Sequence, residues 1–172
     1  MKCVSKMKRL LLTILTSAAI CIAADAQSNL KKIYDENSDP MAQIDQAIAK
    51  ADKEGKFVIC QVGGNWCRWC LMFADFISKD SEIMEVIDKN FVYAHVNYNP
   101  RERSDEVKMK KAEAMLKRLG NPGRFGYPVF VVLDSNGKVL HTQDSSFLEE
   151  GNGYNKTKVM RFFTNWTPSA VK

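Results

Sequence analysis

Two cysteines separated by two residues, Cys67 and Cys70, are the part of this 172-residue chain best suited to chemistry. A thiolate is the nucleophile in thiol–disulfide exchange, so a reactive cysteine must ionise near neutral pH. The start of a helix favours a thiolate through its partial positive charge, and Arg68 adds a permanent positive charge beside Cys67. The spacing lets Cys70 reach Cys67 across one helical turn. We therefore predict that Cys67 is the exposed attacking thiol and Cys70 the buried resolving thiol.

The residues before the pair predict the elements that position it. Phe57–Val62 is an apolar run typical of a buried strand, and residues 63–65, Gly-Gly-Asn, turn the chain. From residue 67 to residue 78, apolar side chains recur at helical spacing. The pair is thus predicted at a strand-to-helix junction. Trp66 and Trp69 flank it, where they would cover the sulfurs and offer an apolar surface to an extended partner.

The rest of the chain shows the periodic patterns of an α/β protein. Polar residues 27–40 predict a loose lead-in, and Asp-Ser-Asn-Gly at 134–137 predicts a hairpin turn. The helix over 101–119 is expected to turn Val107 and Leu119 inward. The other predicted helices cover 41–53, 83–87 and 157–166, and the other strands cover 91–96, 129–133 and 138–142. This order predicts a mixed central sheet with helices on both faces.

A zinc site is the main alternative for a C-x-x-C pair, because structural zinc takes four ligands rich in cysteine and histidine. Only Cys60, His95 and His141 remain as soft donors after residue 26, and both histidines lie in predicted strands. Cys60 lies in an apolar run and is expected to be a small buried residue rather than a reactive thiol. The sequence therefore predicts no metal and no other cofactor.

The first 26 residues have the pattern of a secretory signal peptide. A basic segment precedes the apolar run Leu10–Ile22, whose 13 residues are fewer than the roughly 20 that span a membrane. Residues 24–26, Ala-Asp-Ala, fit a cleavage site, and Met7 would also serve as a start. We expect residues 1–26 to be removed on export, most simply to the periplasm, and residues 27–172 to form one domain. Secretion, a lipid anchor on Cys21 and retention of the segment as an anchor are the alternatives.

Charge gives no case for nucleic acid or an anionic membrane as a partner. The chain carries a formal net charge of +5, of which the first 26 residues contribute +3, so the remainder is near neutral. Its 45% hydrophobic content suits one domain with a core. We expect a monomer without stable membrane insertion after signal cleavage. Its expected partners are protein thiols and disulfides and an unidentified redox partner.

The motif Gly-Gly-Asn-Trp-Cys-Arg-Trp-Cys at 63–70, the helix–strand unit at 80–97 and Gly-Tyr-Pro at 126–128 resemble the thioredoxin superfamily. The resemblance is to its bacterial exported thioredoxin-like proteins and covers roughly residues 33–168. It implies a thioredoxin-like fold and the same attacking and resolving roles for the two cysteines. It also implies that Pro128 is a cis-proline facing the pair, which would expose the backbone of Tyr127 to a substrate peptide.

Two positions depart from the pattern of that superfamily. Its members often bury an aspartate six residues before the first cysteine, where this chain has Gln61, which cannot ionise. A lysine that often partners this aspartate falls at His95. His95 either takes over the acid–base function or is an ordinary strand histidine with a satisfied hydrogen bond.

Together these features predict an exported thiol–disulfide oxidoreductase that reduces or exchanges disulfides of protein substrates. The expected substrate contacts are Trp66, Arg68, Trp69, Tyr127 and Pro128. The alternatives are a thioredoxin-fold module that binds a partner without turnover, and a zinc-binding module. Reductase, oxidase and isomerase differ in redox potential, which the residues leave open.

Overall fold

A four-stranded sheet forms the centre of the computed structural model, which describes residues 30–171. The strands are β1 (Phe57–Gly63), β2 (Phe91–Asn97), β3 (Val129–Leu133) and β4 (Val139–Asp144), in the spatial order β2-β1-β3-β4. β1 pairs parallel with β2 and antiparallel with β3, and β3 pairs antiparallel with β4. The predicted mixed sheet and hairpin are confirmed.

Five α-helices of residues 30–171 surround the sheet, and each begins after a residue whose side chain accepts a backbone N–H bond. They are α1 (Pro40–Glu54), α2 (Arg68–Ser78), α3 (Ser81–Asn90), α4 (Glu106–Arg118) and α5 (Lys156–Asn165). A small hairpin of β5 (Glu149–Glu150) and β6 (Gly153–Tyr154), and 3₁₀ turns at Pro122–Phe125 and Ser145–Leu148, were not predicted.

Alternation along β1 divides the core into two layers. Val58, Cys60 and Val62 face α1 and α4, where they pack in a cluster of buried apolar side chains. Ile59 lies on the opposite face, in a layer with apolar residues of α2, α3 and α5. Helices therefore cover both faces, as predicted, and neighbouring residues of β1 meet different surroundings.

The predicted start of α4 is wrong. The helix begins at Glu106 because the Asp105 side chain accepts the N–H of Lys108 and caps it there. Val107 was expected to point inward but is 64% exposed. At about 100° per residue, it lies about 80° around the helix axis from Met115 and about 120° from Leu119, and so outside the stripe formed by these two fully buried residues.

Residues 32–172 form one compact unit. The predicted signal peptide and its cleavage site, residues 1–26, lie outside the described residues. Within residues 30–171, no helix has the length and apolar character needed to cross a membrane.

Candidate active site

Cys67 and Cys70 form a disulfide at the N-terminus of α2, with their Cα atoms 5.2 Å apart. Cys67 is the N-cap residue: its backbone is extended, and its Sγ accepts a hydrogen bond of 3.2 Å from the backbone N–H of Cys70. An N-cap acceptor sits where the unpaired N–H groups and the helix dipole favour negative charge. A thiolate formed at Cys67 on reduction is therefore stabilised by the backbone itself.

The two cysteines differ little in exposure. Cys70 is fully buried and Cys67 is only 6% exposed, although the sequence suggested a clearly exposed attacking thiol. Half-buried side chains of Trp69, Leu71 and Tyr127 pack against the pair and account for this. These side chains therefore limit direct access of a partner to Cys67.

A segment before α1 closes one side of the site, where a loose lead-in was predicted. The Asn65 side-chain oxygen accepts the backbone N–H groups of Ile33 and Tyr34, each at 3.1 Å. Its amide nitrogen donates to the Tyr34 carbonyl at 2.9 Å. These bonds fix the segment to the turn that precedes the cysteines, and Tyr34 is 5% exposed as a result.

Gln61 lies beneath the first turn of α2 and is fully buried and fully hydrogen-bonded. Its Nε2 donates to the Cys70 carbonyl at 3.0 Å and to the Tyr34 hydroxyl at 2.7 Å. Its Oε1 accepts from the Tyr93 hydroxyl at 2.7 Å. A neutral network thus occupies the place where the superfamily often has a carboxylate. Sequence reasoning found Gln61 but missed both tyrosines, since no spacing signal connects residues about 30 apart in the chain.

His95 lies on β2 directly opposite Gln61 in the strand register. Its ring packs edge-on against that of Tyr34, with centroids 5.5 Å apart. Burial lowers the pKa of His95 to about 4, so the imidazole is neutral at neutral pH. Its Nε2 is buried and has no hydrogen-bond partner within residues 30–171, so the expectation of a satisfied strand histidine is wrong for this atom.

Aromatic side chains form a rim around the pair. Trp66 is 38% exposed, its Nε1 donates to the Tyr98 carbonyl at 2.8 Å, and its ring meets that of Tyr127 edge-on at 5.6 Å. Trp69 packs edge-on against Tyr154 at 5.6 Å, and the Tyr154 hydroxyl donates to its carbonyl. The predicted contact residues Trp69 and Tyr127 therefore pack against the cysteine pair, and Trp66 lies beside Tyr127.

The other two predicted contact residues differ in accessibility. Arg68 is exposed in the first turn of α2. The peptide bond between Tyr127 and Pro128 is cis, as the resemblance implied. Pro128 itself is buried, so a peptide at this place would meet the half-buried Tyr127.

A cleft of about 450 Å³ opens beside Trp66. Residues 36–40 form one wall, residues 97–103 form another, and α4 contributes Lys108, Lys111 and Glu113. Both signs of charge line it, and Lys111 is paired with Asp39 at 2.7 Å.

The soft donors considered for zinc do not come together. Cys60 is fully buried in the apolar layer beneath α1 and α4, where burial raises the pKa of its thiol to about 12. His141 stacks on Trp166, with ring centroids 4.4 Å apart. In the described part of the chain, no three His, Cys, Asp or Glu side chains converge on a point where a metal ion would bind.

Comparison with known proteins connects this geometry to a family. A family model named Thioredox_DsbH, with the description "Protein of unknown function, DUF255", matches residues 21–166. The solved structure of a disulphide isomerase from Xylella fastidiosa Temecula1 aligns with a TM-score of 0.63 and 25% identity, over 79% of this chain and 97% of that chain. The thioredoxin-like fold expected from the motif is therefore confirmed.

Two curated relatives share a shorter region. Spermatogenesis-associated protein 20 is 33% identical in Rattus norvegicus and 32% identical in Mus musculus, in each case over 77 residues and 45% of this chain. The chain spans only about a tenth of the length of these curated relatives.

Proposed function

The chain belongs to the Thioredox_DsbH family, and from this we propose that it is a thiol–disulfide oxidoreductase that cycles between the Cys67–Cys70 disulfide and the dithiol. The family and the thioredoxin-like fold support a redox role in general. The observation that carries the proposal is the pair of sulfurs at a helix N-terminus, with Cys67 Sγ accepting the N–H of Cys70.

In the proposed cycle, the reduced protein transfers two electrons to a substrate disulfide. The Cys67 thiolate attacks one substrate sulfur, a mixed disulfide forms, and the other substrate sulfur leaves as a thiolate. The Cys70 thiol then loses its proton and attacks Cys67 Sγ. The Cys67–Cys70 bond forms and the second substrate sulfur leaves. An external dithiol partner returns two electrons to restart the cycle.

We propose that protein disulfides, rather than small ones alone, are the substrates. An apolar rim beside the cysteine pair is formed by Trp66, Trp69 and Tyr127, and Arg68 adds an exposed charge. We propose that the backbone of Tyr127, beside its cis peptide bond to Pro128, pairs with an extended peptide. The cleft beside Trp66 would accept the chain that continues from it.

We propose export to the periplasm with removal of residues 1–26, on the strength of the basic segment, the apolar run and the Ala-Asp-Ala site. The compartment suits the chemistry, because disulfides persist where the environment is oxidising. N-terminal sequencing of protein recovered from outside the cytoplasm should begin at Gln27. A sequence beginning at Met1 or Met7 would contradict removal of the segment.

The proposed roles of the cysteines are tested by trapping. Cys70→Ser should accumulate a mixed disulfide on Cys67 with a scrambled disulfide protein, because no thiol remains to resolve it. Cys67→Ser should trap little, and Cys60→Ser provides a control in which the pair is intact. Non-reducing electrophoresis and mass spectrometry identify the linked residue. A better trap with Cys67→Ser would exchange the roles, and a wild-type protein that binds substrate without reducing it would favour the binding module.

A further inference from the structure

We propose that Tyr34 is a positioning residue for the resolving thiol: in the reduced protein its hydroxyl donates a hydrogen bond to Cys70 Sγ and promotes attack on the mixed disulfide. The inference rests on the proposed thiol–disulfide cycle and adds a residue to it. In members of the superfamily, a buried carboxylate often assists the second cysteine. Here we assign that assistance to Tyr34, which lies in the segment before α1.

The hydrogen bonds of Gln61 show that the Tyr34 hydroxyl does not donate its proton to Gln61. The Cys70 carbonyl can only accept, so the atom of Gln61 that bonds it at 3.0 Å must be Nε2. The second proton of Nε2 is then donated to the Tyr34 hydroxyl at 2.7 Å. A tyrosine hydroxyl that accepts from Gln61 keeps its own proton to donate elsewhere.

Gly63 shows that the Tyr34 hydroxyl and the sulfur of Cys70 lie beside the same backbone position. A Cβ atom at Gly63 would overlap Cys70 Sγ and would come within 2.9 Å of the Tyr34 hydroxyl oxygen. The sulfur and the hydroxyl therefore border the same small space beside the backbone of β1, and glycine leaves that space open. The three side chains Tyr34, Cys67 and Cys70 form one buried cluster.

Within residues 30–171, no charged side chain is hydrogen-bonded to Cys70 or to the Tyr34 hydroxyl. The titratable groups packed around it and Tyr34 are Cys67 from α2, Tyr93 and His95 from β2, and Tyr154 from β6. Burial raises the pKa of all three tyrosines and lowers that of His95 to about 4, so these four side chains are neutral at pH 7. A hydroxyl that stays protonated is a donor over the whole working range of pH.

The donated bond favours the thiolate over the thiol. A hydrogen bond to an ionised acceptor is about twice as strong as one between neutral groups, so Tyr34 lowers the free energy of the Cys70 thiolate. During resolution, the Cys70 proton passes to solvent and the thiolate attacks Cys67 Sγ. The Cys67–Cys70 bond forms, the bond from Cys67 to the substrate breaks, and the substrate sulfur leaves with the electron pair.

The test separates the two steps with dithiobis(nitrobenzoate), an aromatic disulfide that releases one coloured thiolate at each step. The reduced protein, with Cys60→Ala to remove the third thiol, should release the first thiolate by attack of Cys67 and the second by attack of Cys70. Tyr34→Phe should slow the second release roughly tenfold at pH 7 and move its pH midpoint up by about one unit. The first release should not change.

Tyr93→Phe is the matched control. This variant also loses one hydroxyl oxygen that is bonded to Gln61. The Tyr93 hydroxyl, however, donates to Gln61 Oε1 and does not border the space beside Cys70 Sγ. Its second release should keep the wild-type pH midpoint. Equal shifts in Tyr34→Phe and Tyr93→Phe, or no shift in either, would overturn the inference. A wild-type protein that releases only one thiolate would instead overturn the proposed cycle.

A second measurement does not depend on turnover. With Cys60→Ala and Cys67→Ser in the same chain, Cys70 is the one thiol left among residues 30–171, and its thiolate absorbance in the ultraviolet reports its titration directly. Adding Tyr34→Phe should raise the midpoint by about one pH unit. An unchanged midpoint in folded protein would show that Tyr34 only packs against the site.

Discussion

Cys60 and Cys70 are both fully buried thiol positions, yet they lie on opposite faces of the sheet in different surroundings. Cys60 packs among apolar side chains of α1 and α4, where burial alone raises the pKa of its thiol to about 12. Cys70 lies in the first turn of α2, where its backbone N–H and carbonyl are both bonded to side chains. Burial by itself makes a thiol inert, and the polar groups around the second site are what permit chemistry.

The largest effect on the rate of disulfide reduction is expected from substituting the cysteines themselves. Cys67→Ser should lower the rate of disulfide reduction by at least about 1,000-fold, because the attacking sulfur is lost. Cys60→Ala should leave the rate within about twofold and cost only about 1 kcal/mol of the free energy of unfolding, for the small cavity left. An insulin-reduction assay and urea unfolding measure the two effects. Equal loss of activity in both variants would refute the division into inert and reactive thiols.

Substituting one glutamine on each face of the sheet should show how much a buried, hydrogen-bonded side chain adds to the free energy of unfolding compared with one that lacks a partner. Gln61→Leu should lower the free energy of unfolding by about 3 kcal/mol, because it leaves the Cys70 carbonyl and the Tyr93 hydroxyl buried without their partner. Gln43 on α1 is the matched control, since its buried Oε1 has no partner in the described part of the chain. Gln43→Leu should be neutral or slightly stabilising. Urea unfolding monitored by tryptophan fluorescence gives both values.

The strands β1 and β3 and the helix α1 could be predicted from sequence more completely than the network around the site could. Apolar periodicity located β1, β3 and α1 to within one residue at each end, because local pattern and packing agree there. The same reasoning placed Cys67 at the start of α2, since a C-x-x-C pair after a strand and a glycine turn is a local signal.

The network around Cys70 could not be predicted in the same way. Tyr34, Gln61 and Tyr93 come from three separate segments, and each alone looks like an ordinary polar or aromatic residue. Only the parallel pairing of β1 with β2, and the bonds from Asn65 to the segment before α1, bring them together. Contacts between residues so far apart in sequence leave no periodic signal in a single chain.

Acidification should lower the free energy of unfolding through protonation of His95, which lies on the same side of the sheet as Cys70. Burial lowers the pKa of His95 from 6.5 to about 4 in the folded protein, so the unfolded chain binds more protons between these values. Stability contributed by the neutral imidazole is complete above pH 6.5 and is lost as pH falls towards 4, by about 2 kcal/mol. His95→Gln should show a correspondingly smaller loss between pH 7 and pH 4.5 in urea unfolding. Parallel pH curves for the two proteins would contradict the assigned shift.

The smallest effect expected concerns the link between the segment before α1 and the site. Asn65→Ala removes three bonds to the backbone of Ile33 and Tyr34, but water can replace some of them, so the free energy of unfolding should fall by only about 1 kcal/mol. Amide hydrogen exchange at Ile33 and Tyr34 should accelerate well beyond this global change, because the segment opens locally. Glu36→Ala is the control: it removes one exposed bond to the same asparagine and should leave exchange at both amides unchanged. If both variants exchanged at the same rate, the segment would be held by packing of the Tyr34 ring, and Asn65 would only shape the turn before Cys67.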